Sequence, residues 1–117
     1  MRILFDKNVP VGVRGFLMNH EVRTFLEMHW PDQLENGELL SMAEEAGFDV
    51  LITSDQHIPY PQDLTGRKLA VVVLGSNIWP VVRQHGTAIT DTVSVAAPGR
   101  HDLVEMPLPP KSRRSRV

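Results

Sequence analysis

Two apolar runs end on aspartate: Ile3-Leu4-Phe5-Asp6 near the start of the chain, and Val50-Leu51-Ile52-Thr53-Ser54-Asp55 in the middle. Each run has the residues of a strand buried on both faces of a parallel sheet. Ligands in such sheets bind in the crevice beyond the carboxyl ends of the strands. Aspartates delivered there by neighbouring strands would repel one another unless a proton or a cation compensates them. A hard divalent ion, which prefers oxygen ligands, is the simplest compensation. The chemistry this pattern points to is an acidic metal site.

The elements that must position these carboxylates can be read along the chain. A first strand is expected over 2–6, then a helix from Pro10 to about Asn19 with Val13, Phe16 and Leu17 on one face. Proline fits the first helical turn because its missing N–H would have no partner there. The run 20–26 reads as a strand whose alternating charges place it near an edge, and 27–35, with Trp30-Pro31, as an irregular loop. Asn36 is the expected N-cap of the next helix, with Glu38 in its first turn, Leu39, Ala43 and Ala46 on its buried face, and Gly47 as its stop. Strands follow over 48–54 and 68–75, separated by a loop over 59–66. Ser76 or Asn77 would cap a last helix with Pro80 in its first turn and Val82, Ile89, Val93 and Ala96 along one stripe, and 101–106 would add an edge strand. The fold expected is α/β, a three-layer sandwich around a mostly parallel sheet of about four to five strands, with the first and third strands as neighbours.

At 117 residues the chain fits one domain, placed at 1–106, with a Pro-rich and then basic tail over 107–117 that is expected to be disordered. Net charge is −2, but Lys111, Arg113, Arg114 and Arg116 lie in that tail, which leaves residues 1–110 at −6. An acidic body argues against a broad basic face for nucleic acid. There is no cysteine, hence neither a disulfide framework nor a thiolate metal site, and no apolar run is long enough for a membrane span. A cytoplasmic protein without a signal peptide is expected.

The string ILFDKNVP, a short helix, HEV, and then NGELLSMAEEAGFDVLITSDQHI resemble the PIN-like fold. The likeness is to its short, nuclease-related branch, akin to VapC-type toxins of toxin–antitoxin systems, and it runs from residue 2 to about residue 96. Asp6, Asn8 and Pro10 match the Asp-Glu-Asn-x-Pro strand end of that branch. Glu38 matches the glutamate at its helix start, and Thr53 and Asp55 match its Thr-x-Asp strand end. Lys7, Asn36 and His57 stand where the pattern commonly carries acids. The resemblance implies hydrolysis of single-stranded RNA by a ribonuclease dependent on Mg²⁺ or Mn²⁺. Asp6, Glu38 and Asp55 would be its catalytic and metal-binding carboxylates, and Asn8, Asn36, Thr53 and His57 would orient them or touch substrate. It also implies a small DNA-binding antitoxin as partner.

Plainer roles compete with these. A first-turn glutamate such as Glu38 stabilises its helix by about 0.3–1 kcal/mol without any ligand. Strand-end aspartates often close Asx turns. The five histidines are scattered, and Trp30 and Trp79 read as packing anchors. Phe25, Met28, Trp30 and Trp79 exceed what a small monomer needs outside its core, so a homodimer is expected. Two other functions fit parts of the sequence. One is a catalytically degenerate PIN-like domain that binds RNA or protein. The other is a receiver-like module with Asp55 as phosphoacceptor, against which Lys7 counts, since a receiver needs an acidic pair after its first strand.

Overall fold

The computed structural model describes residues 1–57 and 64–107. Part of the expected 59–66 loop and nearly all of the 107–117 tail lie outside those residues. Among these residues five parallel strands form one sheet: β1 (Arg2–Phe5), β2 (Glu21–Thr24), β3 (Val50–Thr53), β4 (Ala70–Leu74) and β5 (His101–Val104). Their order is β2-β1-β3-β4-β5, so the first and third strands are neighbours, paired Ile3 to Val50, Leu4 to Leu51 and Phe5 to Ile52.

Burial follows this order. Every residue of β3 and β4 is buried, as continuous apolar runs in the middle of a parallel sheet must be, whereas β2 at one edge alternates between exposed and half-buried. Successive side chains leave opposite faces of a strand. Ile3, Phe5, Val50, Ile52, Val72 and Leu74 therefore join one buried cluster, and Leu4, Leu51, Val71 and Val73 the other. Helix α1 (Asn36–Glu45) supplies Leu39, Leu40 and Ala43 to the second cluster. It stops at Gly47, whose φ of +85° is the left-handed conformation that glycine adopts without strain. Helices α2 (Trp79–Val82) and α3 (Gly86–Ser94) contribute Val82, Ile89 and Val93 to the first cluster.

Several elements differ from the sequence reading. The helix expected from Pro10 to Asn19 is a 3-10 helix over Val11–Phe16. Gly12 and Gly15 weaken an α-helix there, and the indole of Trp79 lies so close to Gly12 that a β-carbon would come within 2.5 Å of it. The single last helix is broken at Arg83–His85, a 3-10 turn that seats Gly86 against the Phe16 ring, where a β-carbon would meet carbon at 2.6 Å. Its N-cap is Ile78, neither Ser76 nor Asn77. The stripe through Val82, Ile89 and Val93 survives the break because all three stay buried. The loop over 27–35 begins with a 3-10 turn, Leu26–Met28.

The apolar residues held to be surplus are largely used within the chain. Phe25 is buried, Trp30 meets it edge-on with ring centres 6.0 Å apart, Met28 packs against the same cluster, and Trp79 stacks on Phe16 at 6.1 Å. Among the described residues no helix is long and apolar enough to cross a membrane.

Candidate functional site

Strand order decides where the site forms. From β1 the chain moves to β2 on one side, and from β3 to β4 on the other, so the two connections diverge at the carboxyl ends of β1 and β3. A divergence of this kind opens the crevice in which doubly wound sheets hold ligands. Asp6 follows β1 immediately, and Asp55 stands two residues beyond β3. Both line one cleft of about 230 Å³, with Lys7, Asn8, Phe25, Asp32, Leu34, Asn36 and Leu39.

Pairing between the strands sets the carboxylates. The Asp6 amide donates to the Ile52 carbonyl at 2.9 Å, which continues the β1–β3 ladder and brings Asp6 beside Thr53. Thr53 is fully buried, and its hydroxyl donates to Asp6 Oδ2 at 2.8 Å while accepting the Asp55 amide at 3.1 Å. One hydroxyl thus connects both aspartates. The other oxygen of Asp6, Oδ1, accepts the Lys7 amide at 2.8 Å, and Asp55 Oδ1 accepts the His57 amide at 2.9 Å. The last bond is the Asx turn expected of a strand-end aspartate, and it fixes one edge of the carboxylate.

Asn8 ties the same strand ends from the other side. Its Oδ1 accepts the Ser54 amide at 3.0 Å, and Ser54 Oγ donates to the Ser76 carbonyl beyond β4 at 3.4 Å. His57 enters this arrangement through its backbone amide, and its exposed ring is not part of the cleft wall.

Asn36 is not the N-cap expected of it, and Glu38, in the first turn of α1 as expected, does not join the carboxylates. Glu35 is the N-cap of α1, while Asn36 is the first helical residue and lines the cleft. Glu38 Oε1 accepts the Glu35 amide at 3.1 Å, and the Glu35 carboxylate accepts the Glu38 amide, completing a capping box. Glu38 faces a separate, open groove with Ser41, Met42 and Arg67. Its helix-end role is therefore filled, and it does not join Asp6 and Asp55.

Two charged residues of the cleft, Asp32 and Lys7, have no role that the sequence pattern assigns. Asp32 lies in the irregular 27–35 segment, where no strand end or helix start marks it. Lys7 was legible only as a departure from an acidic pattern. Its ammonium donates to the Asp32 carbonyl and lies 5.2 Å from the centre of the Phe25 ring.

The donor set of the cleft is made of hard oxygens, from Asp6, Asp55 and Asp32 and the amides of Asn8 and Asn36. Among the described residues no three His, Asp or Glu side chains converge on one ion position. Mg²⁺ is commonly held by one or two carboxylates, with water and substrate phosphate completing its octahedron, and an Asp6–Asp55 pair fits that manner of binding. Compared with family models, with curated proteins and with solved structures, the chain matches none.

Proposed function

We propose that this protein is a metal-dependent endonuclease of single-stranded RNA, built as a PIN-like three-layer sandwich and acting at the cleft between the ends of β1 and β3. The observation that carries this reading is the Asp6–Thr53–Asp55 connection at the topological switch point of the sheet, where one buried hydroxyl orients the Asp6 carboxylate and holds the Asp55 backbone amide. Asp6 and Asp55 would hold Mg²⁺ or Mn²⁺. Once bound, such an ion supplies a water acidic enough to be deprotonated near neutral pH and positive charge for the phosphate oxygens.

The residues of the chain do the positioning. Thr53 and the Lys7 amide hold both oxygens of Asp6 in place, so the carboxylate does not reorganise when its charge is used. Asn8 braces the backbone after Thr53 through the Ser54 amide, which keeps the end of β3 at a fixed distance from the end of β1. Phe25, Leu34 and Leu39 give the cleft an apolar wall, which strengthens electrostatic interactions within it.

A second reading, a PIN-like domain that binds RNA or a partner protein without cleaving it, is favoured by one observation. Glu38 is engaged in the capping box of α1 and lies off the cleft. A receiver-like phosphoacceptor would suit the same strand order, but Lys7 stands where its acidic pair needs a second carboxylate.

Titration of the purified protein with Mn²⁺ by calorimetry, beside cleavage of a single-stranded RNA, separates these readings. Endonuclease function requires a bound ion and cleavage, both lost in Asp6→Asn and Asp55→Asn. Intact RNA at millimolar Mn²⁺ with no heat of binding rejects it in favour of the non-catalytic reading.

A further inference from the structure

The cleft that carries the two aspartates also carries a cation in an unusual setting. Lys7 follows Asp6 directly, and its backbone is anchored by the bond from its amide to Asp6 Oδ1. Its side chain does not fold back onto either carboxylate. It reaches the loop at Asp32, donates there to a main-chain carbonyl, and rests beside the ring of Phe25. Among the described residues Lys7 forms no ion pair, although Asp6, Asp32 and Asp55 line the same cleft.

An ammonium has three donors. One of these meets a neutral carbonyl, which leaves the full positive charge in place. The aromatic face favours a cation without neutralising it. The Phe25 ring is itself buried, at 2% exposure, so it offers a firm apolar backing. The cation is thus held at the cleft by neutral partners, with its remaining donors available to an anion.

We propose that Lys7 is the phosphate-binding residue of this cleft and takes a backbone phosphodiester of single-stranded RNA. The proposal rests on the nuclease reading and adds to it the group that seats the substrate. Lysine binds phosphate as a point charge, whatever the base, so this contact supplies affinity and register rather than sequence preference. It also gives Lys7 a purpose in a position where a further carboxylate would repel the substrate.

The test is binding of a short single-stranded RNA by fluorescence anisotropy in EDTA, across a series of salt concentrations, for the wild type, Lys7→Gln and Lys7→Arg. Lys7→Gln is expected to weaken binding about 10-fold at low salt and to lower the slope of log K against log salt by about 0.7, the value for one phosphate contact on a single strand. Lys7→Arg, which keeps the charge, is expected to stay within about 3-fold of the wild type with its slope unchanged. Equal affinity and slope in wild type and Lys7→Gln would overturn the proposal, as would a wild type that binds no RNA. Equal losses in Lys7→Gln and Lys7→Arg would also overturn it, because they would mark Lys7 as a latch for the Asp32 loop. The nuclease reading fails separately, on Mn²⁺ binding and cleavage by the wild type, neither of which the EDTA experiment measures.

Discussion

The hydroxyl of Thr53 donates to Asp6 Oδ2 at 2.8 Å, joining the end of β3 to the residue that follows β1. Because that hydroxyl is fully buried and also accepts the Asp55 amide, it has no water to fall back on if either partner is lost. Thr53→Val keeps the shape and removes the hydroxyl, leaving an amide and a carboxylate oxygen each short of a partner. A loss of about 1–3 kcal/mol of unfolding free energy is expected in urea denaturation, with Thr53→Ser recovering most of it. Mn²⁺ affinity should fall in Thr53→Val and return in Thr53→Ser, because the Asp6 carboxylate and the Asp55 backbone lose and regain their anchor.

Glu38 gives the opposite pattern. It closes the capping box of α1 and faces away from the cleft. Glu38→Ala should lower unfolding stability by about 1 kcal/mol, through the lost cap and the lost first-turn charge. Mn²⁺ binding, measured by calorimetry, should be unchanged. A matching loss of ion affinity would return Glu38 to the site.

The contact between Gly12 and Trp79 leaves no space for a side chain, since a β-carbon would come within 2.5 Å of the indole. Gly12→Ala must push Trp79 off Phe16, with an expected cost of about 1–3 kcal/mol. The urea midpoint should fall with the slope of the transition unchanged, and the near-ultraviolet circular dichroism of the aromatic rings should change with it.

Glu27 makes one contribution to stability dependent on pH. The Thr24 amide at 2.8 Å, and then Arg14 at 2.7 Å, hold its carboxyl below the ordinary glutamate value. A carboxyl with a lowered folded-state pKa adds stability above its unfolded pKa and loses it as pH falls through the folded value. Wild type and Glu27→Gln should therefore differ most at neutral pH and converge on acidification below the glutamate range. The group is solvent-exposed, so the difference is small and shrinks further with added salt. Chemical denaturation at neutral and acid pH, at two salt concentrations, measures it.

Much of this architecture is legible in the sequence because local chemistry fixes it. The apolar runs at 3–5, 50–53 and 70–74 can be buried only as inner strands, so the aspartates after the first two had to emerge at the sheet's carboxyl edge. The spacing of Leu39 and Ala43 and the stop at Gly47 likewise mark α1, because helical periodicity and a left-handed glycine are properties of neighbouring residues.

The composition of the cleft was decided elsewhere. A capping box and a cleft ligand can be written with the same glutamate, and only the direction in which α1 leaves Glu35 turns Glu38 to the cap and Asn36 to the cleft. Asp32 and the Lys7 ammonium come together across 25 residues of chain, through a loop anchored by Trp30 on Phe25. That meeting depends on the packing of the loop against the sheet, and no local periodicity encodes it. Sequence determined which carboxylates reach the edge of the sheet, since burial alone enforces that. Tertiary structure determined which charges stand opposite them, because distance across a cleft is set by how separate elements pack.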